Sequence, residues 1–560
     1  MHHKANPQSR TDLLLLVALC GFLFFYGLGA FGLAGADEPR YAQVAREMLD
    51  RSDWVTPTLQ GKPWLEKPAL YYWEAMLSFR IAGVSGWAAR LPGAVDAAFL
   101  IAAISFFLRR FRPGSEFDGA LITASCAAVV GFAHAAATDM PLSACFAIAL
   151  LAWYAWYESR SQIYLAAFYM FLALGTLAKG PVAPALAAVI IFLFVAAQRD
   201  WRAILRSLWI PGVALYFVVA LPWYIAVQLR NPDFFRVFIL EHNLARFSTG
   251  VYHHPQPFWF YLPVFLLAMM PWTLVLILAV VERVRLLWSE GKESFSSAED
   301  SWALFLLIWM IVPIVFFSVS QSKLPGYILP AVPAGALLAA EYLAGRQVQE
   351  RGAGEERLPP LFAAAHAVLC GLLIFAALSA ALFAGSMVMN HHLRWSARTS
   401  GIGVWTIGTW GVGIGSSAVI AAVFALGIGA ALWSRAGSRL LSRSTIFAVV
   451  ISVAAVIRFA APVIDATQSA RPIAASIAGF SREPVPIAVY HLNREQQYGL
   501  EFYLNRGVAR YETEDIPAAD HVLVAAQSTQ VEVAQLVPGR RVSYLTSIPA
   551  QKVNLYWVGK

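Results

Sequence analysis

Charge is scarce in this sequence. Asp, Glu, Lys and Arg make up 14% of its 560 residues, against 59% hydrophobic residues. Soluble globular chains carry about 25% charged and about 45–50% apolar residues. A soluble, disordered or fibrous protein is therefore excluded. Cysteine is also scarce: Cys20, Cys126, Cys145 and Cys370 all fall in apolar segments, and no CxxC pair occurs. That leaves no disulfide framework and points to small buried apolar side chains. Internal repeats and low-complexity tracts are missing. So is a small-residue cleavage site after the first apolar run, near 12–33, which is too long for a signal-peptide core and reads as a retained span.

What is abundant is hydrophobic length, with a mean hydropathy of +0.59. A membrane-spanning helix needs about 20 mainly apolar residues, and about thirteen such runs can be counted. After the first they lie near 88–108, 117–137, 140–157, 163–178, 180–198 and 208–229. Six more lie near 257–281, 302–319, 325–344, 360–388, 413–433 and 445–463. A single anchor is excluded, as is an outer-membrane barrel with its short alternating strands. The net charge of +8 sits mostly in loops between spans, so it carries no nucleic-acid signal.

Arginine-rich loops set the orientation. Arg109, Arg110 and Arg112 begin an alternating set that ends with Arg435, Arg439 and Arg443. By the positive-inside rule these loops are cytoplasmic, together with Lys4 and Arg10. Three long segments, 34–87, 230–256 and 389–412, then face outward. An odd number of spans places the carboxyl end outside as well. The expected division is a membrane domain over 1–463 and an outside α/β domain over 464–560. In the latter the apolar runs shorten to strand length at Val485–Tyr490, Val522–Ala525 and Val553–Val558, around a helical stretch at Gln496–Leu504.

The outward segments gather the candidate chemistry. Asp37-Glu38-Pro39-Arg40-Tyr41 opens an amphipathic helix with Tyr41, Val44, Ala45, Met48 and Leu49 on one face, as if lying along the membrane surface. Asp37 at its start is favoured as the anion, and from position alone it is also a plain cap. Pro63 and Pro68 bracket Glu66 and Lys67 among Trp64, Tyr71, Tyr72 and Trp73. The rings fit an interfacial belt or a lipid head-group site, where a lysine meets phosphate as a point charge. Asp139 lies between two apolar runs, where an ionisable group is a site candidate or a solvated turn. Lys179 and Lys323 also fall on the outer side, as snorkelling lysines or as site groups. The second outward loop holds Arg246 and three histidines. Glu66 with His254 is the candidate contact for a divalent metal, zinc by ligand type, although the spacing fits no closed site.

Four blocks together resemble a known family: Asp37-Glu38-Pro39-Arg40-Tyr41, Glu66-Lys67-Pro68, Thr138-Asp139-Met140-Pro141 and Ser322-Lys323-Leu324-Pro325-Gly326-Tyr327. The loop ending His254-Pro255-Gln256-Pro257-Phe258-Trp259-Phe260-Tyr261 also fits. The pattern is similar to the GT-C integral-membrane glycosyltransferases that use polyprenyl-phosphate sugars. Within them it is most like the bacterial 4-amino-4-deoxy-L-arabinose transferases of lipid A, relatives of the protein O-mannosyltransferases. The resemblance implies a polytopic α-helical GT-C fold of about 13 spans with a C-terminal periplasmic α/β domain. It implies Asp37 and Asp139 as catalytic carboxylates and Lys67 at the lipid phosphate. Arg40, Tyr41, Arg246, Lys323 and Tyr327 would contact substrate. It further implies undecaprenyl-phosphate aminoarabinose as donor, lipid A as acceptor, an inner-membrane location with a periplasmic active site, and resistance to polymyxin-like peptides. The rivals are a GT-C transferase for another sugar, lipid or protein, and a secondary transporter. A transporter would favour midplane charges and repeated halves, whereas here the charges lie at span ends.

Overall fold

A computed structural model describes residues 7–245, 256–290, 298–352, 361–379, 420–429, 437–480 and 485–559. Each apolar run of the sequence coincides, wholly or in part, with helix. Among the described residues, eight helices are long and apolar enough to cross a membrane, or up to ten if two bent pairs each count as one span. The described residues thus show a multi-pass helical bundle, with fewer spans among them than the thirteen expected. The outward segment expected at 389–412 lies outside the described residues.

The first helix, α1 (Pro7–Cys20), leads through a turn into α2 (Asp37–Asp50). Two short strands, β1 (Thr58–Leu59) and β2 (Lys62–Pro63), then precede α3 (Leu70–Ala82) and the long α4 (Gly86–Phe111). Helices α5 (Glu116–Ser125) and α6 (Ala127–Ala133) bend by 65° at the extended residue Cys126. α7 (Asp139–Ser159) and α8 (Gln162–Lys179) form an antiparallel pair, turned by Arg160 at φ 57°. α9 (Val182–Gln198), α10 (Trp201–Ser207) and α11 (Ile210–Arg230) follow.

α7 is the central helix, with 94% of its span buried. A helix apolar all round belongs inside a bundle. Trp153 and Tyr154 of α7 pack with Phe194, Trp302 and Phe305. All four cysteines are buried thiols.

Arginines gather at one end of this bundle. Arg112 meets Glu158 at 2.5 Å, Arg160 meets Asp200 at 3.4 Å, and Arg346 meets Glu282 at 3.2 Å. The start of α7 and the end of α8 return to the opposite end, where α2 and α3 also lie.

Residues 487–559 carry a five-stranded mixed sheet in the order β4-β3-β5-β7-β6, the strands being β3 (Ile487–Tyr490), β4 (Val508–Arg510), β5 (His521–Ala526), β6 (Arg541–Ile548) and β7 (Val553–Gly559). β3 runs parallel to β4 and β5, while β7 is antiparallel to β5 and β6. The helix Arg494–Leu504 is fixed at its start by a capping box of Asn493 and Gln496. Its face docks on α2. Arg46 donates to the Phe502 carbonyl at 2.7 Å, and the Tyr503 hydroxyl accepts from Leu33 N–H at 2.7 Å.

Candidate functional site

Glu38 organises the site. Its carboxylate is gripped by Arg90 of α4 at 2.9 and 2.7 Å. It also accepts from the backbone N–H of Ala34 and of Ala136, each at 2.8 Å. Arg90 is fully buried and donates further to the carbonyls of Leu28, Phe31 and Gly32. A buried charge needs both a counter-charge and filled hydrogen bonds, and here it has both. One pair thereby ties the exit of the first apolar helix, the start of α2 and the loop before α7. Asp37 follows one end of this clamp, and Asp139 lies three residues beyond the other.

The local cap expected at the helix start is corrected. Ala36 takes the cap position without a side-chain bond, Glu38 serves the clamp, and Asp37 pairs with Arg40 at 2.5 Å. The buried face of α2 contains Tyr41, Val44, Ala45 and Met48 as expected, and Gln43 as well. It rests against α3 and the helix Arg494–Leu504.

Glu47 holds the β1–β2 hairpin against α2. It accepts from Thr58 Oγ1 at 2.7 Å and from the N–H groups of Gln60 and Gly61 at 2.8 and 3.1 Å. Gln60 and Gly61 both have positive φ, 55° and 73°, as a two-residue type I′ turn demands. The hairpin thus delivers Trp64 and Glu66 beside Arg40.

The Arg40 side chain is only 13% exposed, against 54% for Asp37. Its Nη2 lies 3.5 Å from the Tyr41 hydroxyl and 4.0 Å from Glu66 Oε2. Its guanidinium lies over the rings of Tyr41, Trp64 and Tyr498, at 5.1, 5.2 and 5.9 Å from their centroids. Burial opposes the Arg40 charge, but Tyr41, Asp37 and Glu66 outweigh it, so the guanidinium is held ionised above its ordinary range. Burial pushes the Tyr41 phenol up, and Asp37 adds to this. It stays a neutral hydrogen-bonding group. Lys67 follows Glu66 in the same bend and is half-buried.

The second half of the site lies at the start of α7. Asp139 Oδ1 meets Lys179 Nζ at 2.6 Å. Both ends suit their charges, an acid at a helix start and a lysine at a helix end. Lys179 Nζ lies 4.7 Å from the centroid of Tyr327. Gly326 makes the approach possible, since a Cβ there would sit 2.7 Å from Asp139 Oδ1 and 2.8 Å from the Phe132 ring.

Asp37, Arg40, Tyr41 and Glu66 thus converge in one group, with Lys67 next to Glu66 in the chain, and Asp139 and Tyr327 in a second group joined to it by the Glu38 clamp. Lys323 stands apart. It is buried, and its ammonium donates to the Ser320 carbonyl at 2.5 Å, closing its own loop. Arg246 and His254 lie outside the described residues. The histidine that the structure brings toward Glu66 is His242, at 3.9 Å. Among the described residues no three His, Cys, Asp or Glu side chains form a metal-binding group.

Glu38, Arg90, His242 and Tyr498 carried no sequence signal as a set, because their partners lie far away in the chain. Lys179 was visible as a charge at a span end.

A cavity of about 490 Å³ opens beside Glu38 and His134. Its walls are otherwise mostly apolar and include Val130, Pro271, Leu373, Val453 and Ile457. A greasy slot therefore adjoins the Glu38 clamp.

Residues 66–225 match the family described as dolichyl-phosphate-mannose-protein mannosyltransferase. The undecaprenyl phosphate-alpha-4-amino-4-deoxy-L-arabinose arabinosyl transferase 2 of Pseudomonas fluorescens is 31% identical over 353 residues, 62% of each chain. The corresponding transferase of Edwardsiella ictaluri is 32% identical over 317 residues, 55% of each. The chain thus spans under two thirds of the length of these curated relatives. The crystal structure of ArnT from Cupriavidus metallidurans bound to undecaprenyl phosphate superposes with a TM-score of 0.72 at 21% identity, covering 98% of both chains. The resemblance drawn from the four sequence blocks holds: this chain has the fold of that ArnT structure and is similar in sequence to proteins named undecaprenyl phosphate-alpha-4-amino-4-deoxy-L-arabinose arabinosyl transferases.

Proposed function

We propose that the protein transfers 4-amino-4-deoxy-L-arabinose from undecaprenyl phosphate to a phosphate of lipid A, at the periplasmic face of the bacterial inner membrane. The observation that carries this reading is the meeting of Asp37, Arg40 and Glu66, with Lys67 next in the chain, at the start of a helix whose Glu38 lines an apolar cavity of about 490 Å³. A lipid-linked sugar phosphate needs both halves of such a site. Its polyprenyl chain takes the apolar slot, and its phosphate meets the fixed cations.

The reaction is a displacement at the anomeric carbon. An acceptor phosphate oxygen forms the new bond to that carbon. The bond from the carbon to the donor oxygen breaks, and undecaprenyl phosphate leaves with the electron pair. Negative charge grows on the departing phosphate. Lys67 and Arg40, held in place before the reaction, stabilise that charge more in the transition state than in the ground state. The acceptor phosphate is already anionic and needs no base. Asp37 then balances positive charge developing on the sugar or pairs with its ammonium group, and Asp139, held by Lys179, bounds the other side.

A divalent metal on Glu66 and His254 remains part of this proposal. The described half of that pair offers Glu66 with His242 nearby, and metal analysis of protein purified without added zinc tests it. The cationic sugar masks lipid A phosphates and so protects the cell from polymyxin.

Mass spectrometry of lipid A from cells with and without the protein tests the function. Aminoarabinose on a phosphate is the expected product. A hexose, or sugar on protein, would instead favour the activity in the name of the family matched by residues 66–225.

A further inference from the structure

We propose that the C-terminal α/β unit completes the transfer site, and that Tyr498 is the positioning residue through which it does so. This inference rests on the transferase reading above. Arg40 is enclosed by three aromatic rings from three separate elements. Tyr41 comes from its own helix, Trp64 from the hairpin, and Tyr498 from the helix Arg494–Leu504. Tyr498, Glu501 and Phe502 are spaced i, i+3 and i+4, so they share one helix face. That face is locked onto α2 and the hairpin: Phe502 accepts from Arg46 at 2.7 Å, and Glu501 accepts from Gln60. The ring of Tyr498 is thereby held where its face meets the guanidinium.

The physical need is clear. Arg40 is 2.5 Å from Asp37 and 4.0 Å from Glu66. An unrestrained guanidinium would fold fully onto these acids and turn away from a departing phosphate. A guanidinium stacks well on aromatic faces. A third ring therefore sets its plane without cancelling its charge. Tyr498 acts through Arg40 and makes no bond to reacting atoms.

The test uses the full chain in detergent, with undecaprenyl-phosphate aminoarabinose and lipid A. Tyr498→Leu keeps the bulk but removes the π face, while Tyr498→Phe keeps the face. We expect Leu to lower kcat about tenfold, with donor KM within about twofold and the unfolding midpoint unchanged. Phe should restore kcat to within about twofold of wild type. Wild-type kcat in the Leu variant, an equal fall in both variants, or a lower unfolding midpoint with the loss would overturn the inference. If the wild-type chain transfers nothing, the functional reading falls instead. The three-ring enclosure of Arg40 is then read by affinity for undecaprenyl phosphate, whose charge resembles the departing group. Phe is expected to bind like wild type and Leu more weakly; equal affinities would overturn the inference.

Discussion

Asp37 and Lys67 carry opposite duties at the reacting centre, and single substitutions separate them. Removing a preorganised charge aimed at a transition state costs on the order of 10²–10³ in rate. Asp37→Ala and Lys67→Ala should each reduce transfer by at least that much while the unfolding midpoint holds. Gly326 makes a different point. Its missing side chain is what lets Asp139 and Phe132 close in. Gly326→Ala should cost about 1–3 kcal/mol by overpacking and should lower transfer further by displacing Asp139. Calorimetry beside a transfer assay separates the two effects. Asp37, Arg40, Lys67 and Asp139 were visible in the sequence because charge is rare at the ends of apolar runs. Lys323 looked equivalent by that criterion, yet the structure directs its ammonium into its own loop. A linear pattern reports that a charge is present, and only packing reports where it points.

Among the elements, α2 and its clamp matter most. Glu38 and Arg90 join four stretches of chain through one ion pair. Glu38→Ala would leave the buried Arg90 charge uncompensated, which costs about 3–5 kcal/mol. We expect a lower unfolding midpoint and loss of transfer together, unlike Asp37→Ala, which should lose transfer alone. The clamp was illegible in sequence because its partners lie 52 residues apart. Helix existence was legible from apolar length. The break at Cys126 was not, since the apolar run passes through it without Pro or Gly. The strand-length runs near the C-terminus did mark β3, β5 and β7. Their order in the sheet was hidden, because pairing depends on contacts between distant segments.

For the molecule as a whole, the sheet-bearing C-terminal part acts as a roof over α2, and its hold should vary with pH. Glu501 is buried against Gln60 and Gln497. Burial pushes its carboxyl up from 4.5 to about 7, with the two glutamines opposing and Glu47 adding to the rise. A group whose folded pKa is raised binds its proton more tightly in the folded state. Its contribution is fully present below the unfolded value near 4.5 and declines through about 7. The wild-type unfolding midpoint should therefore fall between about pH 5 and pH 8, and Glu501→Gln should flatten that fall. An unchanged slope in Glu501→Gln would assign the dependence to other groups.

The most direct measurement of the central claim is a reaction of purified protein with undecaprenyl-phosphate aminoarabinose and lipid A, read by mass spectrometry of both lipids. The account predicts that undecaprenyl phosphate and lipid A bearing aminoarabinose on a phosphate appear in equal amounts, and that Lys67→Ala forms neither. Release of undecaprenyl phosphate without modified lipid A, or full transfer by Lys67→Ala, would contradict it.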